Sequence, residues 1–270
     1  MNVFEGLVLE GFHLDVAENF ISVPGLWTWA DGRYRIQVDD NNKIPFAGDL
    51  SPQLNNFTQP TANRRLTHDG MWMKTLAVDA GNPAYLKSFR LEDFKFMQDG
   101  SPFGVYCITN FENNADSGAN FNIVNAGGSG QTGFMFILAV SGVLQAIVRN
   151  GSTIVRVSNI GGLYTPGHAN ELTLPGTFVI SHVFKGANVV NNQINRLGDL
   201  VNITTDTSLA SEYSTDAAPR FFILHSSQST KEIKTGLLLI YNWTGYTPTQ
   251  IDAFDLRIRN LLNDVKPQFV

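Results

Sequence analysis

The sequence predicts an all-β chain: a two-sheet antiparallel β-sandwich, or jelly roll, closed by one short C-terminal α-helix. Three observations lead there. From about residue 100 the chain is a series of short apolar or alternating runs, separated by clusters of Gly, Asn, Pro and Ser; this is the pattern of antiparallel strands and turns. Several of those runs are apolar on both faces, as expected where a sheet is covered on each side. The stretch "LLLIYNWTGYTPTQIDAFDLRIRNLL", Leu237 to Leu262, begins as such a strand and ends with helical periodicity.

The elements can be justified in chain order. Residues 1–20 carry Val3, Phe4, Leu7, Val8, Leu9, Phe12, Leu14 and Val16. That is too apolar for a solvated tail. The segment either adds a strand to its own sandwich or docks as an arm on a neighbouring subunit. Residues 21–270 read as a single domain. Its first part, "VPGLWTWADGRYRIQVDDNNKIPFAGDLSPQLNNFTQPTANRRL", is rich in Pro, Asn and Asp and has too few apolar residues for a core of its own. It predicts loops and a few short strands leading into the same sandwich, with Trp27, Trp29 and Trp72 in the core. The strand series follows: "FGVYCITNF", "NFNIVNAG", "GFMFILAV", "VLQAIVRNG", "TIVRVSN", "TFVISHVF", "RFFILHS" and "GLLLIYN". "VSGVL" and "VRNGSTI" read as tight hairpins, and Asn150-Gly151 suits a type I′ turn.

The closing helix is signalled on several levels. Thr247-Pro248-Thr249-Gln250 has the form of a capping box, with proline at the first helical position. Ile251, Phe254, Ile258, Leu261 and Leu262 fall on one face. Asp252 and Asp255 precede Arg257 and Arg259, the order the helix dipole favours. The spacing predicts a helix over about 248–263.

Composition excludes several classes. The net charge is −5, only 16% of residues are charged, and Lys and Arg never cluster; nothing here resembles a nucleic-acid footprint. The apolar runs are far too short to span a membrane as a helix. Glu5 interrupts the first apolar residues, so no signal peptide is read. The single cysteine, Cys107, allows no internal disulfide and reads as a buried thiol.

A resemblance now becomes usable. "PGLWTWADGR", "FAGDLSPQLNNFTQPTANRRL" and "MWMKTLAVDAGNPAYL" are similar to the opening of concanavalin A-like lectin/glucanase domains of the laminin-G-like kind. Asp49, Ser51, Asn55, Asn56, Gln59 and Tyr85-Leu86 sit in matching places. "GLLLIYNWTGYTPTQIDAF" resembles the last strand and short helix of that family. The resemblance implies a jelly-roll sandwich that ends in a helix. It also implies that calcium can be held at a loop rim.

No motif announces a chemistry. Gly128 to Gly133 fits G-x-G-x-x-G, but a strand-like run follows where a dinucleotide site needs a helix. The glucanase branch of the resemblance uses a Glu-x-Asp-x-x-Glu cluster, and the chain has none; Glu92-Asp93, the nearest pair, would point to opposite faces of a strand. The five histidines are scattered without zinc spacing. His182 shares a strand face with Phe178, Ile180 and Phe184 and reads as a core histidine. "ENNADSGAN" offers carboxylate and amide oxygens that suit calcium, with Asp116 and Asn120 as candidate ligands and an ordered turn as the competing reading. For sugar, the candidates are aromatic or imidazole side chains in polar loops: Tyr164 and His168 in "GGLYTPGHAN", and Trp243 and Tyr246 in the strand-to-helix connection.

The expectation is a non-enzymatic structural or adhesion module. It would be a bacteriophage virion component, a capsid decoration or tail protein, with a lectin-like glycan-binding face. Its partners would be other virion subunits, further copies of itself and host-surface glycans, with no nucleic acid and no membrane insertion. The alternative is a glycan-active enzyme or an accessory carbohydrate-binding module of one.

Overall fold

The computed structural model describes residues 19–75, 84–88, 90–111, 121–126, 133–138, 143–150, 153–162, 176–186, 189–204, 221–226 and 233–269. They form a two-sheet antiparallel sandwich. The first sheet has eight strands. Its hydrogen-bonded order is β15 (Leu200–Thr204), β14 (Gln193–Leu197), β13 (Gly176–Phe184), β8 (Phe103–Phe111), β17 (Ile233–Asn242), β6 (Met73–Thr75) and β5 (Thr67–His68), and β1 (Leu26–Asp31) also pairs with β17. The second has nine: β12 (Thr153–Gly162), β11 (Val143–Asn150), β10 (Gly133–Leu138), β9 (Phe121–Asn125), β16 (Phe222–Ser226), β7 (Ala84–Ser88), β4 (Phe57–Thr58), β3 (Phe46–Ala47) and β2 (Ile36–Gln37). Every described strand pair is antiparallel.

The Pro- and Asn-rich first part contributes β1 to β4, mostly two-residue strands, to both sheets. β11 pairs with β12 as the hairpin reading expects, with the register closing at Asn150↔Thr153, so Asn150 belongs to the strand; Gly151 lies outside the described residues. Gly133 opens β10 rather than a helix, so the glycine-rich stretch leads into a strand.

The doubly apolar strands have a specific cause. Successive side chains on a strand point to opposite faces. On β8, Phe103, Val105 and Cys107 enter the core between the sheets, while Tyr106 and Ile108 face outward. On β17, Leu238 and Ile240 point inward and Leu237, Leu239 and Tyr241 outward. The outward set is as buried as the inward one because α1 (Pro248–Val265) lies across it. Ile251, Ile258, Leu262 and Val265 of α1, then Phe269, cap that face together with Phe20, Val23, Trp29 and Trp72. The first sheet is thus covered by the second sheet on one side and by the helix on the other. Gly236 on β17 serves this closure: a Cβ there would lie 2.3 Å from the Phe269 ring.

The helix carries the capping box the sequence predicts. Thr247 Oγ1 accepts from the Gln250 backbone at 3.4 Å, and Gln250 Oε1 accepts from the Thr247 backbone at 2.9 Å. One detail differs. Phe254 and Leu261, expected on the buried face, are only half-buried, while Asp255 is almost fully buried. Its carboxylate accepts from Tyr106 Oη at 3.0 Å and from Arg196 Nη2 at 2.9 Å. A buried carboxylate survives only when it is paired and hydrogen-bonded, and the sheet supplies both partners. Asp255 therefore pins the helix to the sheet. Burial first, then the neighbouring Asp255 charge, pushes the Tyr106 hydroxyl well above its ordinary pKa, so it remains a donor.

Other expectations also find their place. Trp29 and Trp72 are buried in the cluster beneath the helix, and Trp27 packs half-buried against the core between the sheets. His182 is buried with Nδ1 2.6 Å from Asn195 Oδ1. Cys107 is buried, and burial pushes its thiol up to about 12, which leaves no thiolate for chemistry at neutral pH. The proposed arm, residues 1–18, lies outside the described residues; Phe20, just beyond it, is fully buried against Trp29 at 5.5 Å.

Candidate functional site

Tyr246 stands at the end of the central strand. β17 stops at Asn242, whose Oδ1 accepts from the Thr244 backbone at 3.0 Å and from Thr244 Oγ1 at 2.7 Å. Such an Asx turn is the local alternative an asparagine offers to a continuing ladder. Gly245 then takes φ +90°, a left-handed conformation that suits glycine. The Tyr246 N–H closes the turn on the Trp243 carbonyl at 2.9 Å. Thr247 begins the helix one residue later. The sequence thus forces strand, turn and helix into six residues, and Tyr246 is held at the corner.

The two aromatics predicted here have different fates. Trp243 is fully buried; its Nε1 donates to the Pro24 carbonyl at 3.3 Å and its ring stacks on Tyr241 at 5.8 Å. It is a packing residue and presents no ring face to a ligand, which corrects its assignment as a sugar platform. Gly104 makes the room it needs, since a Cβ there would lie 2.5 Å from the Trp243 ring. Tyr246 is half-exposed and propped edge-on by Phe254 of α1 at 5.2 Å. Tyr164 and His168 lie outside the described residues, as do Asp116 and Asn120.

Tyr246 lines a cleft of ≈ 390 Å³ with Trp27, Pro24, Gln53, Asn242 and Thr244. Among the described residues no charged side chain lines it. The Asn242 Nδ2 amide has no partner among the described residues, because the turn uses only its Oδ1. Gln53, which is exposed, also lines the cleft. The volume sits at the small end of ligand clefts, which run from about 300 to 1,000 Å³ and combine aromatic walls with a few placed polar groups.

The sequence does not single out Gln53, and it assigns Trp27 to the core rather than to a site. They are brought to Tyr246 by the residues that carry the family resemblance. Asp49 is fully buried and accepts four hydrogen bonds: from the Trp29 and Ser51 backbones at 2.7 and 2.9 Å on Oδ1, and from Ser51 Oγ and the Asn55 backbone at 2.6 Å each on Oδ2. Burial pushes the Asp49 carboxyl above its ordinary pKa, against the pull of those four bonds. Asn55 Nδ2 donates to the Trp27 carbonyl at 2.9 Å, and Asn56 Oδ1 accepts from the Asp49 backbone at 2.9 Å. The knot ties the Pro52-Gln53 loop to the strand that bears Trp27. Its residues shape the cleft wall rather than line it.

Glu92 and Asp93 sit on a 3-10 turn, Leu91–Met97, and face Lys95 and Arg90 at 3.9 Å each. Among the described residues no three His, Cys, Asp or Glu side chains converge to hold a metal ion. The groups that line the Tyr246 cleft suit binding of a ring. An aromatic face accepts the apolar side of a ring, and amide and hydroxyl groups serve its polar edge.

No family model and no curated protein matches this chain. Solved structures do. The binding domain of Paraclostridial Mosquitocidal Protein 1 is similar with a TM-score of 0.56 at 12% identity, over 89% of this chain and 53% of that one. Botulinum neurotoxin type C, which interacts with two ganglioside molecules, is similar at 0.54 and 7%, over 91% and 53%. The sialidase of Trypanosoma rangeli, solved with sialic acid, is similar at 0.53 and 8%, over 92% and 38%. This chain spans about half the length of the two toxin chains and 38% of the sialidase chain. At such identities the likeness establishes the two-sheet fold.

Proposed function

We propose that this chain is a non-catalytic carbohydrate-binding module and that the Tyr246 cleft is its sugar site. One observation carries the reading: a half-exposed tyrosine, an aromatic neighbour and free amide groups meet in a cleft that no charged side chain lines among the described residues. Neutral saccharides present this chemistry, a weakly apolar ring face rimmed by hydroxyls. The similar structures lend support, because one is a toxin binding domain and another is a toxin that interacts with gangliosides.

The finer part of the proposal is adhesion within a particle: a bacteriophage virion component, capsid decoration or tail, that meets host glycans through this cleft. The apolar residues of 1–20 support it, as a segment that docks on a neighbouring subunit. Deleting residues 2–18 tests that part. The remaining domain should keep its melting temperature and lose assembly; unfolding, or assembly at undiminished affinity, refutes it.

The carbohydrate reading is tested by a glycan array probed with and without calcium. Retention of neutral glycans is expected, and an array with no retained glycan overturns it. A glycan-active enzyme is the second reading, because a sialidase stands among the similar structures. Release of free sugar at an ordinary enzymatic rate, about 1 per second or faster, would establish it in place of the first.

A further inference from the structure

A second cleft lies on the far side of the closing helix. It has a volume of ≈ 510 Å³ and continues into a shallower one of ≈ 590 Å³ that shares Asn263 and Lys266 with it. One wall is the helix. Arg259, Asn263 and Lys266 are spaced four and three residues apart, so they share a face, and the two cations lie about 10 Å apart along the axis. The other wall is β13, whose Thr177, Val179 and Ser181 alternate onto one face. Arg196 of β14 closes the end.

Among the described residues the charges do not cancel. Arg196, Arg259 and Lys266 supply three positive charges. Asp255 beneath them and Asp199 on the rim supply two negative ones. Asp255 engages Arg196 through both Nη atoms, at 3.1 and 2.9 Å, but takes only Nε from Arg259, at 3.3 Å. The Nη1 and Nη2 fork of Arg259 and the Lys266 ammonium have no ion partner among the described residues.

A structural clamp, with cations at a helix C-terminus, explains the arginines but not Ser181. Ser181 lines the cleft and is 1% exposed, and its buried hydroxyl has no hydrogen-bond partner among the described residues. An orphaned buried hydroxyl costs free energy until something bonds it.

We propose that this groove is a second ligand site and that it holds a carboxylate-bearing saccharide. A guanidinium fork matches a planar carboxylate bidentately. Ser181 and Asn263 supply bonds to hydroxyls, and Val179 and the exposed Val201 supply apolar surface for a ring. The spacing of Arg259 and Lys266 lets one chain meet both cations. An acidic peptide lacks the ring and hydroxyl edge this lining suits. The inference does not rest on the Tyr246 cleft.

The test is calorimetry on the full chain with a galacturonate trimer, a neutral hexose trimer and a glutamate-rich peptide. The galacturonate trimer should bind, more weakly as salt rises, and the peptide should not. A neutral ligand of the Tyr246 cleft should not displace it. The double variant Arg259→Gln, Lys266→Gln should lose about tenfold or more in affinity, because each change removes a charge-assisted bond. Ser181→Ala should weaken binding while the melting temperature stays the same or rises, since it removes an orphaned hydroxyl. Equal binding by wild type and the double variant would overturn the proposal. Equal binding of the neutral trimer in this groove would overturn it too. Tighter binding of the peptide would assign the groove to an acidic protein instead.

Discussion

His182 makes the fold sensitive to acid. The ring is 1% exposed, stacks on Phe134 at 4.5 Å, and contacts Phe103 and Phe136 at 5.6 and 6.1 Å. Burial lowers its pKa from 6.5 to about 4, and the bond to Asn195 opposes the shift only in part. A histidine with a depressed folded pKa is protonated more readily when unfolded. Its neutral form therefore supports the fold above about pH 6.5, and that support is lost as pH falls from 6.5 toward 4. The shift of about 2.5 units corresponds to about 3 kcal/mol once both states are protonated. Between pH 7 and about pH 4.5 the loss should be about 2 to 3 kcal/mol, a large part of the margin of a typical domain. Urea unfolding across this range measures it. Carboxylates titrate there as well, so the informative quantity is the difference between wild type and His182→Gln, which keeps a donor for Asn195 and cannot titrate. The variant should lose about 2 kcal/mol less than wild type over the range. Parallel pH profiles for the two proteins would refute the argument, as would a His182 ring that titrates near 6.5 by NMR.

Four further substitutions test the scaffold. Thr247→Ala removes one of the two capping-box bonds and should cost about 1 kcal/mol in urea unfolding. Ile258→Ala on the fully buried face should cost about 2–5 kcal/mol, and half-buried Phe254→Ala about 2 kcal/mol; equal and negligible losses would show that α1 does not dock. Asp49→Asn sets an amide N–H against a backbone donor in the buried knot and should cost about 1–3 kcal/mol. It should also weaken ligand binding at the Tyr246 cleft through the loosened Gln53 loop, and stability equal to wild type would show that the knot does not organise the wall.

The parts of this molecule set by local chemistry are visible in its sequence. The closing helix announces itself through Thr247, Pro248 and Gln250, because a capping box acts within four residues. The hairpin between β11 and β12 is equally local. The burial of both faces of β8 and β17 shows as apolar runs, but the identity of the cover does not: a second sheet and a helix leave the same mark on the strand. Asp255 shows the limit. Its helical position suggested a dipole role, and only Tyr106 and Arg196, 149 and 59 residues earlier, make its burial tolerable. At the candidate site, Trp243 and Tyr246 look alike in the chain. What separates them is Gly104, which admits the indole beneath the strand, and the Asx turn that swings Tyr246 out. Gln53 and Trp27 reach the cleft through pairings that no local pattern encodes.

The central claim, a sugar site at Tyr246, is tested most directly by Tyr246→Ala. The best-retained neutral glycan should be titrated into wild type and variant by calorimetry, with melting temperatures measured alongside. Removing the ring should weaken binding about tenfold or more, as truncating an aromatic anchor does, while the melting temperature falls by only a few degrees. Unchanged affinity in a folded variant would contradict the account.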